Sequence, residues 1–300
     1  MSLKLSLGLP VYNEEKYIEK TLDSIKSQTF LDYELIISDN NSSDKSLKII
    51  EKYAQNDNRI RVIKNKKNIG MINNFNKVLF EANNDYFVWI GAHDIYKPDF
   101  LEALVRELKN NDLKPKLIFS DVSHIDIDEK IINKEINAGF ESNRNFFSRS
   151  ITLPWIIKGS GDMVYGLFNT KVLKKIGGFS NLLWADVLLI HQIAYKGYII
   201  KVKKILRLRR YKNINSYKNW KDKYINRTNS QRNYIKDKVT FDLYFPNLMM
   251  MIFIFWKIGI KNNFLLLINL PIALYWLLVY LFRHRVAFMI DLINIIKRTK

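Results

Sequence analysis

His93 and Asp94 stand side by side at the end of an apolar run, in WIGAHDIYKPDF (89–100). An imidazole beside a carboxylate is suited to holding a metal. Other polar clusters recur in comparable places: PVYNEE (10–15), SDNNSSD (38–44), NKKNIG (65–70) and the Ser-Asp that closes KLIFSD (116–121). Together they offer carboxylates, amides and one glycine turn. They offer no thiol, because the chain has no cysteine. That excludes a disulfide framework, a thiolate metal site and a cysteine nucleophile.

Each cluster follows a strand-like run. LKLSLGL (3–9) precedes a helix expected over 14–28, with Ile18, Leu22 and Ile25 at helical spacing. YELIIS (33–38) leads to a helix over 45–55, RIRVIK (59–64) to one ending near 82, and DYFVWIG (85–91) to one opening at Pro98. Asp44 reads as a helix cap. This alternation predicts a parallel α/β sheet, whose ligand crevice lies beyond the carboxyl ends of its strands. Further on, MVYGLF (163–168) reads as a strand, with Thr170 capping a helix that stops at Gly177-Gly178. WADVLLIHQIAYKG (184–197) reads as a helix and YIIKVKKILRLRRY (198–211) as a strand.

The charge is uneven. The 300 residues carry a formal +19, but residues 201–300 hold 21 Lys and Arg against 4 Asp and Glu, leaving only +2 for the first 200. Nucleic acid, anionic lipid and pyrophosphate all suit such a segment. Residues 212–238 read as a polar connector, and LYFPNLMMMIFIFW (243–256) is almost wholly apolar. FLLLINLPIALYWLLVYLF (264–282) has no charge over 19 residues. As a helix it would reach about 28 Å, marginal for a bilayer core, and it is interrupted by Asn269 and Pro271. The apolar runs favour lipid over nucleic acid as the partner of the basic third. The amino terminus reads as a first strand and lacks a signal-peptide shape.

Residues 5–211 resemble a GT-A fold glycosyltransferase of the family-2 kind. The pieces that carry the resemblance are PVYNEE, SDNNSSD, NIGMINNFN (68–76), GAHDIYKPDFLE (91–102), YGLFNTKVLKKIGGF (165–179) and WADVLLIHQIAYKG. The resemblance implies an α/β, Rossmann-like GT-A fold with a mostly parallel central sheet flanked by helices. With it goes a C-terminal hydrophobic, basic helical appendage. The implied domains are a catalytic one over 1–211 and a membrane-associating one over 212–300. It further implies transfer of a sugar, with inversion, from a nucleotide-diphosphate donor to a hydroxyl on a saccharide or lipid-linked saccharide. The implied place is the cytoplasmic face of a bacterial cell membrane, in surface-polysaccharide assembly.

Roles follow from the same resemblance. Pro10, Tyr12, Asn13 and Glu14 lie against the nucleoside, Asp39 accepts a base N–H, and Asn68, Gly70 and Asn74 of the third loop are further implied donor-binding residues. Asp94 is the implied ligand of a divalent cation, Mn²⁺ or Mg²⁺. His93 stands where a partner acid is usual and Gly91 replaces another; a nitrogen ligand would favour Mn²⁺. Arg209 and Arg210 supply a basic pair near the pyrophosphate. Asp186 is the candidate general base, Trp184 stacks on a sugar or packs, and Asp121 orients acceptor or donor. Gly159-Ser160-Gly161-Asp162 reads as a flexible loop or an ordinary turn, and His124, His191 and His284 read as structural or surface residues. The departure at His93 motivates a second reading, a non-catalytic nucleotide-sugar binder or scaffold. A nucleotidyltransferase lacks its Gly-rich basic loop after the first strand.

Overall fold

The computed structural model describes residues 3–136, 139–156, 161–181, 185–211, 252, 254–260 and 266–283. The chain packs as two units. The first comprises Met1–Ala138, Asp162–Gly178 and Ile200–Lys236, and the second Gly139–Gly161, Phe179–Ile199 and Asp237–Lys300.

In the first unit, β1 (Leu5–Val11), β2 (Tyr33–Asp39), β3 (Ile60–Lys64) and β4 (Tyr86–Trp89) alternate with α1 (Ile18–Lys26), α2 (Ser46–Gln55) and α3 (Met71–Phe80). All seven residues of β1 are buried, as a strand covered on both faces requires. Gly8 lets α3 and β4 close over it: a Cβ there would lie 2.5 Å from Phe87 and 2.8 Å from Val78. Ile18, Leu22 and Ile25 form the buried stripe of α1. After β4 come the short β5 (Ile95–Tyr96), α4 (Phe100–Lys109), β6 (Leu117–Ile125) and β7 (Ile131–Ile136). A 3₁₀ turn over Gly161–Tyr165 leads to β8 (Leu167–Asn169) and α6 (Thr170–Ile176), and β9 (Ile199–Arg210) closes the set.

The sheet order is β3-β2-β1-β4-β8-β6-β9-β5, with β7 on β6. This corrects the expectation of a mostly parallel sheet. Pairs β2–β3, β1–β2 and β1–β4 are parallel, whereas β8 runs antiparallel to β4 and to β6, β7 to β6, and β5 to β9. The helical crossovers dictate parallel pairing only for the first four strands. The remaining half is ordered out of sequence, with β8 between β4 and β6 and with β9 between β6 and β5. Two local expectations also shift. MVYGLF begins as the 3₁₀ turn, and the cap of α6 is Asn169, whose side chain accepts the Val172 N–H, rather than Thr170.

The second unit is helical among its described residues: α5 (Phe146–Ile156), α7 (Ala185–Lys196), a π-helical turn (Trp256–Ile260) and α8 (Leu266–Arg283). The expected hydrophobic C-terminal appendage is corrected here. No helix among the described residues is long and apolar enough to cross a membrane. Instead α8 packs into its unit, burying Ala273, Trp276 and Tyr280. Trp276 Nε1–H donates to the Ser150 carbonyl of α5 at 2.6 Å, and Tyr280 Oη hydrogen-bonds His191 Nε2 of α7. An uncharged run in a sequence does not distinguish a core helix from a lipid-facing one. The connector 212–238 and the run 243–251 lie outside the described residues.

Gly166, between the 3₁₀ turn and β8, has the Ile118 carbonyl oxygen where a Cβ would stand, and Leu117 Cδ1 at 2.7 Å. Backbone cannot yield as a flexible side chain does. Gly166→Ala is therefore expected to lower unfolding free energy by about 1–3 kcal/mol, read by denaturant titration. An unchanged midpoint would contradict this packing.

Candidate functional site

The carboxyl ends of β1 to β4 come together on one edge, and their loops are tied to each other by side chains. Asn13 adopts a left-handed backbone (φ 53°), a conformation Asn tolerates better than most residues. From it, the N–H donates to Ser42 Oγ at 3.0 Å, and the side-chain oxygen accepts the Ser43 N–H at 2.9 Å. Asp44 accepts from the N–H groups of Glu15 (3.0 Å) and Ser46 (2.9 Å). Burial works against its charge, but these bonds hold its carboxyl below the ordinary range. Asp44 thus locks loop to loop rather than facing outward.

Behind these loops lies a buried amide cluster. Asn74 accepts from Ser38 Oγ (2.7 Å) and Asn65 Nδ2 (3.1 Å), and donates to the Ser38 carbonyl (3.0 Å). Asn68 accepts from Asn40 Nδ2 (2.9 Å) and from the Gly70 N–H (2.8 Å). Gly70 has φ 82°, which its loop needs and a side chain would resist. Asn68 and Asn74 therefore shape the scaffold. Asp39 differs from them. Its Oδ2 accepts the Ser42 N–H at 3.1 Å, while its Oδ1 is buried with no hydrogen-bond partner among the described residues. Buried acceptors are rarely left unmatched, so this oxygen is ready for a donor from outside the chain. Pro10 lies within β1, and Tyr12 on the same edge is exposed.

The end of β4 is governed by arginines of β9. Asp94 Oδ2 accepts from Arg207 Nη1 at 3.0 Å, and its Oδ1 accepts the Arg210 N–H at 3.1 Å. On its other side, Arg207 pairs with Asp162, which also meets Arg209 Nη1 at 3.2 Å. The Arg207 guanidinium lies over the Tyr165 ring, 4.1 Å from its centre. Burial disfavours charge on Arg207, yet Asp162 and Asp94 outweigh it and raise its pKa. Burial likewise pushes the Asp162 carboxyl up, but Arg207 and Arg209 more than reverse this and hold it low. Arg210 is buried and taken up within the chain: its Nε reaches the carbonyl of His93 (3.1 Å), its Nη1 those of Asp126 and Ile127 (both 3.2 Å), and its Nη2 pairs with Glu129 (3.0 Å). Arg209, with a side chain 39% exposed, is the member of the basic pair open to a ligand.

The His93–Asp94 pair does not fit a divalent cation. Both Asp94 oxygens already accept hydrogen bonds, and its side chain is 3% exposed. A Cβ at Gly91 would lie 2.6 Å from Asp94 Oδ2, so a side chain there would require the Asp94 carboxylate to move. His93 Nδ1 faces Glu14 Oε1 at 3.2 Å. Among the described residues, no group of three or more His, Asp or Glu side chains could hold a metal.

Asp121 is buried and pairs with Lys201 at 3.1 Å. Asp186 lies in the first turn of α7, in the second unit, and Trp184 falls outside the described residues. Two residues of this region were not foreseen. Asp162 is the second anchor of Arg207, although its Gly-Ser-Gly-Asp context reads as a turn. His124, on β6, stacks on Tyr211 with ring centres 4.6 Å apart, and its Nε2 is buried with no partner among the described residues. Burial lowers its pKa; the Asp162 charge opposes this, while Arg209 and Arg207 add to it. His124 follows Ser120, Asp121 and Ser123 on β6, and nothing in that run marks it out in sequence.

Residues 6–122 match the family described as Glycosyl transferase family 2. That match covers 117 of the chain's 300 residues. The chain is similar to an uncharacterized glycosyltransferase of Haemophilus influenzae, 39% identical over 108 residues, which are 36% of this chain and 33% of that one. The chain spans 33%, 53% and 54% of the length of three curated relatives it matches. The S. aureus TarS 1-349 structure with UDP-GlcNAc covers 94% of this chain and 72% of its own, with a TM-score of 0.62 at 19% identity. The Pyrobaculum calidifontis mannosyltransferase PcManGT with GDP-Man and Mn²⁺ covers 96% and 76%, with a TM-score of 0.53 at 17% identity. At such identities these likenesses establish the fold.

Removing Asp162 leaves Arg207 with one carboxylate. Asp162→Asn is expected to cost about 3–5 kcal/mol, as for other broken buried pairs. The pH dependence has a definite sign. A depressed carboxyl adds stability above its unfolded pKa near 4, and this is lost as pH falls through the folded value. Wild type should therefore lose more stability than the variant between about pH 6 and pH 2. Equal acid dependence in chemical denaturation would refute this account.

Proposed function

We propose that the protein is an inverting glycosyltransferase that moves a sugar from a nucleoside-diphosphate donor to a hydroxyl acceptor. The observation that carries this reading is the buried, unmatched Asp39 Oδ1 at the end of β2, within the family-2 region. An imide N–H of a base would satisfy it. With Oδ2 held by the Ser42 N–H, the residue offers one open oxygen. That suits the single imide N–H of uracil better than the paired donors of guanine. The Tyr12–Glu14 loop then borders the ribose, and Arg209 meets the diphosphate. Charge-assisted contacts of this kind strengthen as the leaving group gains charge.

In the reaction the acceptor oxygen bonds to the anomeric carbon as the carbon–diphosphate oxygen bond breaks. The acceptor's proton passes to a carboxylate, and the nucleoside diphosphate leaves. Asp186 is the proposed base, on the family resemblance, and Asp121 with Trp184 the proposed acceptor side. A saccharide or lipid-linked saccharide is the proposed acceptor. A cation was implied by the resemblance, and PcManGT was solved with Mn²⁺. The bonding of Asp94 supports a donor site whose charge Arg209 meets instead.

Asparagine at position 39 must give up one of two acceptors. Asp39→Asn should therefore weaken uridine diphosphate binding by about 10- to 100-fold in titration calorimetry. Unchanged affinity would overturn the base-reading role. Asp186→Asn should keep that affinity and lower turnover by about 10²–10⁴-fold. Unaltered turnover, or a wild type that binds donors without consuming them, would favour the binder over the enzyme. Turnover by wild type should also survive EDTA and change little with added Mn²⁺; strict dependence on the metal would show that the His93–Asp94 edge rearranges to bind it.

A further inference from the structure

Two rows of exposed apolar side chains run along neighbouring helices of the second unit. On α5 they are Phe147, Ile151 and Trp155, each four residues after the last; on α8 they are Leu274, Leu278 and Leu281. All six are between 40% and 66% exposed. They are not a by-product of amphipathic design gone astray, because each helix already buries its opposite side: Leu153 on α5, and Ala273, Trp276 and Tyr280 on α8. The rows meet at a seam, where Trp155 Nε1–H donates to Tyr275 Oη at 2.7 Å and Tyr275 Oη donates to the Ile151 carbonyl at 3.1 Å. Soluble surfaces scatter such side chains singly and seldom gather them.

We infer that this α5–α8 face seats in the interfacial layer of an anionic lipid bilayer, with both helices lying along the surface. Charge selects the occupant. The second unit carries 12 Lys and Arg against 5 Asp and Glu. A second copy of the chain would bring like charge to like charge, whereas an anionic headgroup layer is complementary. The side-chain types agree: Trp155 and Tyr275 satisfy each other's polar ends at the seam, so the face brings amphipathic aromatic rings to the boundary between water and lipid. Arg283 closes α8, its guanidinium bonded to the Pro154 carbonyl of α5, which puts a fixed cation at the edge of the face. Interfacial seating needs an apolar face and basic flanks, not a long apolar helix. It also rests on no assumption about the reaction.

The absence of cysteine allows a clean test on the full chain. Ile151→Cys and Leu278→Cys are each labelled with an environment-sensitive fluorophore, and Leu113→Cys, at an exposed residue of the first unit, serves as the control. Vesicles of phosphatidylcholine with about one-third phosphatidylglycerol should shift the emission of the first two to the blue and leave the control unchanged. Pure phosphatidylcholine should shift them far less. In flotation, Phe147→Glu combined with Leu278→Glu should reduce the vesicle-bound fraction at least about tenfold, with the far-ultraviolet spectrum and melting temperature of wild type. Equal shifts at all three labels, or flotation indifferent to the double substitution, overturns the inference. So does a concentration-dependent dimer in lipid-free light scattering that the double substitution abolishes, since the face would then belong to a second copy.

Discussion

Arg207 is held, almost without exposure, between Asp94 and Asp162. A lone buried guanidinium would be prohibitive, and so would either carboxylate alone. Together, and with Arg209 as fourth member, the charges balance. The cluster joins three distant pieces of chain: the end of β4, the 3₁₀ turn before β8, and β9. The antiparallel half of the sheet is thereby fixed to the parallel half at the edge where ligands are expected. Tyr96 adds to this, taking the Gly91 N–H at 2.8 Å beneath the same carboxylate.

The opposite end of that edge is organised mostly by amide and hydroxyl groups. Ser38, Asn40, Asn65, Asn68 and Asn74 satisfy one another under β1 to β3, and Asp44 with Asn13 ties the outer loops. Nearly every polar atom there has a partner within the chain. That is what gives the open oxygen of Asp39 its meaning, since a single unmatched acceptor in a matched network is a place for something else. One end of the edge is held by buried ion pairs, the other mostly by amide and hydroxyl hydrogen bonds.

The first four strands and their helices were legible because their apolar spacing is local: Ile18, Leu22 and Ile25 mark α1 without outside help. The positions of the polar loops followed from the same pattern. The second half of the sheet was not legible, because β8 has three residues and owes its place to partners on β4 and β6. Asp94 could be located at a strand end, but its partner lies 113 residues away, and no spacing reveals that pairing. Asn68 and Asn74 fell on the expected loop, yet an amide that shapes a loop and one that reads a ligand look alike in sequence. The uncharged run near the carboxyl end carried hydropathy and no direction; the inward Trp276 and Tyr280 of α8 are distinguished only by what they touch.

Gly91 leaves room for the Asp94 carboxylate and for nothing larger, since a Cβ there would lie 2.6 Å from Oδ2. Positions 91, 94, 162 and 207 are therefore coupled through contact and charge. An acid acquired at 91 would push Asp94 from Arg207 and leave a buried charge without its partner.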